Sequence, residues 1–298
     1  MSLLKLLQDS AITPIFMDIG AAGDSPEIWK PLAPASMLIG FEPDERNLDP
    51  NFGKNFKSPL LVNKVVTDTD AEEIDFILTK YPSCSSTLEP DLEALGSFVF
   101  QDLFEPVKRI KLPSISLNKV FENNDLPGAN WIKVDAQGAD LKILRSIEKD
   151  FADQLLVVDI EPGFIDAYKD EDLYPACHAW LKDQGFWLGD LKYQSYAKVR
   201  PQTMQALEDN GLDRAKLLAR LTKSPTAAEA RYLREVSWFE KNQDDKKLWL
   251  LGMVFGSVNG QLGYVFDLLD AYDNKFGADQ ASKDMRSLSM AELKKLVR

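Results

Sequence analysis

The stretch that decides the fold is Ile15-Phe16-Met17-Asp18-Ile19-Gly20-Ala21-Ala22-Gly23-Asp24. It opens with a short apolar run broken only by Asp18, as expected of a strand buried on both faces of a parallel sheet, where polar alternation disappears. It ends in a Gly-x-x-Gly turn, which permits a tight change of direction and a close backbone approach to a ligand. Similar runs recur at Met37–Phe41, Leu60–Val66, Trp131–Val134 and Leu155–Ile160. Between them, Asp24-Ser25-Pro26-Glu27 and Asp44-Glu45-Arg46-Asn47 carry the acidic and proline residues that suit the first turn of a helix. Strand and helix in alternation predict a doubly wound, Rossmann-like α/β layer.

Two regions depart from this rhythm. Glu73–Leu112 reads as a hairpin-like excursion, with strands near Ile74–Leu78 and Val107–Leu112 around the loop YPSCSST. After the strand-like GFWLGDL that starts at Gly185, a helical insertion is expected over about 201–233, then a strand at Val236–Phe239. The expected division is a core domain over 1–241 and a helical C-terminal extension over 242–298. Gly252, Gly256 and Gly260 recur every fourth residue in that extension. This spacing serves helix packing within the chain, with a homodimer contact as the alternative.

Composition narrows the function. The 298 residues are 45% hydrophobic and 28% charged, the balance of an ordinary globular protein, and the net charge of -12 repels phosphate backbones. Lys108, Arg109 and Lys111 form the densest basic group of the first half and read as an exposed strand face, so nucleic acid is not the expected partner. Cys84, Cys177 and His178 cannot supply a four-ligand zinc site, and two distant cysteines make no disulfide framework. The longest mostly apolar run, Leu248–Val258, is too short to span a membrane, and a cytoplasmic protein is expected.

The glycine turn alone does not choose a ligand. A dinucleotide would set its pyrophosphate against the turn, where Asp18 and Asp24 would oppose it. Carboxylates there instead favour an ammonium and a sulfonium, the charges of S-adenosylmethionine (SAM). Glu42 follows Gly20 by 22 residues, at the end of the second strand, where an acidic side chain accepts ribose hydroxyls in NAD and SAM sites alike. Asp135 ends the fourth strand, and Asp159 and Glu161 end the fifth, where ligands of open α/β sheets sit. These three are the candidates for the acceptor site: one as general base, or together as ligands for Mg²⁺. Lys133 reads as a structural partner of an aspartate, and Ser85, Ser86 and Thr87 as polar groups at the pocket edge.

Taken together, FMDIGAAGD at 16–24, IGFEPD at 39–44, SSTL at 85–88 and WIKVDAQGADLKILRS at 131–146 resemble the FkbM family of SAM-dependent methyltransferases, over about Ile15 to Lys241. The resemblance implies a class I methyltransferase sheet, mostly parallel, of seven strands with one antiparallel. It implies SAM as cofactor, with Asp18, Gly20, Ala21, Gly23, Glu42 and Asp135 around it and Val65 and Val66 near the adenine. It also implies O-methylation of a sugar or another small hydroxylated metabolite. Two departures stand out: Gln137 occupies a position where the family pattern has glutamate, and LPSISLNKV lacks the aspartate expected near Ser116–Leu117. Gln137 keeps open a non-catalytic SAM-binding or assembly protein, and the glycine turn a nicotinamide oxidoreductase.

Overall fold

A computed structural model describes residues 1–21, 23–43 and 50–297. Its ten strands are β1 (Ile15–Ile19), β2 (Met37–Phe41), β3 (Ser58–Val62), β4 (Val65–Thr67), β5 (Glu73–Thr79), β6 (Pro106–Ser116), β7 (Trp131–Val134), β8 (Val157–Ile160), β9 (Phe186–Ala197) and β10 (Lys223–Arg234). Seven of them form one sheet in the order β3-β2-β1-β7-β8-β10-β9. The pairs from β3 to β8 are parallel, and β10 runs antiparallel to both β8 and β9. This is the mostly parallel Rossmann-like sheet with a single antiparallel strand.

The central strands are apolar throughout because both their faces are covered. Met17, Ile132 and Val158 pack in one layer, while Phe16, Trp131 and Leu233 pack in the other. The described helices are α1 (Leu3–Asp9), α2 (Leu92–Leu95), α3 (Leu117–Asn123), α4 (Asp140–Ser146), α5 (Lys149–Ala152), α6 (Tyr174–Asp183), α7 (Pro201–Asp209), α8 (Arg214–Arg220), α9 (Val236–Asn242), α10 (Lys246–Val258), α11 (Leu262–Phe276) and α12 (Gln280–Leu296). Residues of α3, α4 and α6 build the first layer, and those of α1 and α9–α12 the second. The ring of Phe255 in α10 lies 5.8 Å from Phe16 and 5.2 Å from Trp131, so the C-terminal helices share the core of the sheet. Among the described residues no helix is long and apolar enough to cross a membrane.

Several expectations need correction. The run 60–66 is two strands: β3 stays in the large sheet, while β4 joins β5 and β6 in a second, three-stranded sheet. The helical insertion ends at Arg220 and gives way to β10, and the strand expected at Val236–Phe239 is helix α9. Among the described residues no α-helix follows the glycine turn, only 3₁₀ turns at Glu27–Trp29 and Ala33–Ala35, since Pro31 and Pro34 lack the N–H that an α-helix needs there. The helix start expected at 44–47 lies outside the described residues. The hairpin does form, β5 against β6, with Ile74 opposite Leu112. Of the glycine row, Gly252 faces Phe239 and Gly256 faces Val265 and Tyr264, contacts within the chain; Gly260, at φ +69, lies past the end of α10.

Candidate functional site

Two clefts open at the carboxyl ends of β1, β2, β7 and β8. The first, of about 280 Å³, is lined by Gly20, Glu42, Val65, Val66, Phe76 and Asp135 among others. The second, of about 340 Å³, is bounded by Asp18, Glu161, Asp190 and Glu229. Gly20 and Lys133 border both, so the two are neighbours across the end of β1.

The parts of the first cleft come from distant segments. Glu42, directly after β2, is only 5% exposed and reaches its edge. Val65 and Val66 are buried on β4, which the long β6 carries by parallel pairing at its far end. Gly20 turns the chain at φ +83, and both its N–H and that of Ala21 donate to the carbonyl of Phe41 (3.1 and 2.9 Å). These two amides are therefore spent on the sheet. Gly23 continues the turn at φ +92, and Asp24 accepts from the Ser25 N–H and pairs with Lys30 on the surface.

Lys133 stands at the centre of the charged groups. Its Nζ lies 3.4 Å from Asp135 Oδ2, 3.5 Å from Glu161 Oε1 and 3.9 Å from Asp18 Oδ1. Burial opposes its charge, but Asp135, Asp18 and Glu161 outweigh that and hold the ammonium above its ordinary range. The carboxylates feel the reverse. Burial pushes Asp18 up to about 6 against the pull of Lys133, and its Oδ1 is buried without a hydrogen-bond partner. Burial and the neighbouring Asp135 also raise Glu161 above the usual carboxylate range. One ammonium among three carboxylates leaves a surplus of negative charge in a poorly solvated place, which suits a cationic ligand.

Asp159 is held differently from Asp135 and Glu161. Its Oδ1 accepts from Arg231 Nε (2.6 Å), and its Oδ2 accepts from Trp131 Nε1 (2.9 Å) and Arg231 Nη2 (3.1 Å). Both oxygens are committed to this forked ion pair, with the Arg231 guanidinium 5.1 Å from the Trp131 ring. Asp159 nonetheless borders the second cleft, beside Glu161. The expected Mg²⁺ set is corrected, because Lys133 lies between Asp135 and Glu161 and, among the described residues, no three Asp, Glu, His or Cys side chains gather as ligands.

Residues 24–188, more than half of the chain, match the family model described as "Methyltransferase FkbM domain". The chain belongs to the FkbM methyltransferase family. A solved structure described as "Structure of an antibiotic related Methyltransferase" is similar at 17% identity and a TM-score of 0.30, over 78% of this chain and 95% of its own. No curated protein matches.

Within the FkbM fold, the structure adds groups that sequence reading missed. Tyr168 is 3% exposed, and its hydroxyl lies 2.9 Å from both Gln137 Oε1 and the Cys84 carbonyl. It sits in irregular backbone, where no periodicity marks it. Asp140 is buried in the first turn of α4 and accepts from the N–H groups of Ala136 and Gly138; burial, then Asp135, push it up to about 7. Of the hydroxyl cluster, Ser85 and Thr87 border the first cleft, while Ser86 donates to the Gln137 carbonyl (2.7 Å). Ser116, where an aspartate is the family expectation, caps α3 and donates to Asp70.

Proposed function

We propose that this protein transfers the methyl group of S-adenosylmethionine to a hydroxyl of a small molecule, a sugar or another hydroxylated metabolite, at the two adjoining clefts. The observation that carries this reading is the shared wall of Gly20 and Lys133, which joins a nucleoside-sized cleft to a carboxylate-rich one. The residues present fit the cofactor. Glu42 stands where ribose hydroxyls need an acceptor, Val65, Val66 and Phe76 offer apolar walls for an adenine, and the unbonded Oδ1 of buried Asp18 suits an ammonium.

A dinucleotide fits less well. The N–H groups of Gly20 and Ala21 are taken by Phe41, and among the described residues no α-helix offers its positive end at the turn. The pyrophosphate would meet Asp18, and the nearby Lys133 is already shared among Asp18, Asp135 and Glu161.

Bound in this site, SAM supplies an electrophilic methyl carried on a sulfonium. The chain's own residues position the acceptor and take its proton. Glu161 is the proposed general base: it faces the second cleft, and its raised affinity for a proton brings it close to neutral pH, where a base works best. Asp135 is held between Lys133 and Gln137 at the junction of the clefts. Much of the remaining catalysis comes from alignment and exclusion of water.

Calorimetric titration with SAM, and in parallel with NADH, tests this. Micromolar SAM binding that Asp18→Ala and Glu42→Ala each weaken is the expected result, followed by turnover on a panel of hydroxylated acceptors that Glu161→Gln abolishes while SAM still binds. Heat from NADH and none from SAM would overturn the reading.

A further inference from the structure

Gln137 has an unusual backbone for its residue type. Its φ of +51 lies in the left-handed region that side-chain-bearing residues rarely adopt, and Gly138 follows at +93. Such strain persists only where surrounding contacts enforce it. Here they number three. The side-chain Nε2 donates to Asp135 Oδ1 at 2.6 Å, Oε1 accepts from the Tyr168 hydroxyl at 2.9 Å, and the backbone carbonyl accepts from Ser86 Oγ at 2.7 Å.

The chemistry fixes which way the amide faces. An ionised carboxylate only accepts, so the NH₂ turns toward Asp135 and the amide oxygen toward the phenol, whose single proton it shares with the Cys84 carbonyl, each 2.9 Å away. Burial holds the Tyr168 phenol far above the range in which it would lose that proton. On the opposite side, Lys133 Nζ approaches Asp135 Oδ2. A donor on each oxygen leaves Asp135 one orientation. A glutamate at 137 would instead set one carboxylate against another.

We propose that Gln137 is a positioning residue: it orients the carboxylate of Asp135 at the cofactor cleft, and Tyr168 with Ser86 holds the amide in the orientation this requires. The inference rests on the proposal that the cleft takes SAM. It also explains how the segment 82–88 is tied to the carboxyl end of β7. Pro82, Ser83, Ser85 and Thr87 border the cleft, Ser86 reaches the Gln137 backbone, and the Cys84 carbonyl lies beside the Tyr168 hydroxyl.

The test combines SAM titration with amide hydrogen exchange of residues 82–88 in Gln137→Met, Gln137→Glu, Tyr168→Phe and the double variant Asp135→Asn with Gln137→Glu. Losing one hydrogen bond to a charged group should weaken SAM binding about tenfold in Gln137→Met, and more in Gln137→Glu. The double variant rebuilds the bond with its polarity reversed, so exchange protection should return while SAM affinity does not. Exchange protection that stays lost in the double variant overturns the proposal, as would SAM binding by Gln137→Met within about twofold of the unmodified protein. If the unmodified protein gives no heat with SAM, the proposed function fails. The exchange arm then still decides the clasp, and unchanged protection in Gln137→Met and Tyr168→Phe would refute it.

Discussion

Replacing Gly20 by alanine tests the hinge between the two clefts. At φ +83, a side chain costs about 1–2 kcal/mol in backbone strain alone. An added Cβ would also lie 2.4 Å from the Asp135 carbonyl oxygen. That oxygen cannot swing aside cheaply: the Asp135 N–H is bonded to the Ile19 carbonyl at 3.0 Å, and β1 and β7 are paired along their length. Overpacking of this kind adds about 1–3 kcal/mol, so the expected loss is about 2–5 kcal/mol in all. Gly23→Ala supplies the control. Gly23 has a similar φ of +92, but a Cβ there meets nothing within 4 Å, so strain acts alone, about 1–2 kcal/mol. Urea unfolding of both variants, read as a change in midpoint at constant slope, separates the two effects. SAM affinity should fall with Gly20→Ala, because Gly20 borders both clefts. Equal destabilisation of the two variants, to within about 0.5 kcal/mol, would refute the reasoning, since the measurement resolves that difference.

Asp18 makes stability depend on pH. Its folded value of about 6 exceeds the ordinary 3.8, so the folded state binds the extra proton and stability declines as pH rises from about 4 to 6, by up to about 3 kcal/mol. Asp18→Asn should flatten that part of a denaturation-versus-pH curve, and an unchanged slope would contradict the burial argument. Arg231→Met leaves Asp159 charged and half-stranded, and should cost about 3 kcal/mol; adding Asp159→Asn should recover most of it. A single variant within about 1 kcal/mol of the parent would show the pair to be solvated. Gly252→Leu should destabilise the chain by at least about 2 kcal/mol, because even a Cβ there would lie 2.6 Å from the buried Phe239 ring; a stable variant with an altered oligomeric state in light scattering would move that glycine to an intermolecular contact.

The central sheet can be read from the amino-acid order alone. β1, β2, β7 and β8 are buried on both faces, and that burial is written as plain apolar runs. Asp18, Gly20 and Glu42 fall beside the clefts because their place follows from where those runs end. β10 was not legible: its buried residues Thr226, Ala228, Ala230 and Tyr232 do alternate, but two are alanines, whose helix propensity masks a period of two. The reverse error befell Val236–Phe239, whose bulky residues look strand-like, yet whose Trp238 and Phe239 pack from a helix. It took the assembled fold to show that Asp159 belongs to Arg231, that Lys133 gathers three carboxylates, and that Tyr168 and Ser86 meet at Gln137. Tyr168 and Gln137 are 31 positions apart in the chain, Ser86 and Gln137 are 51 apart, and Asp159 and Arg231 are 72 apart. A periodic pattern records which face a residue presents, not which distant group it will meet there.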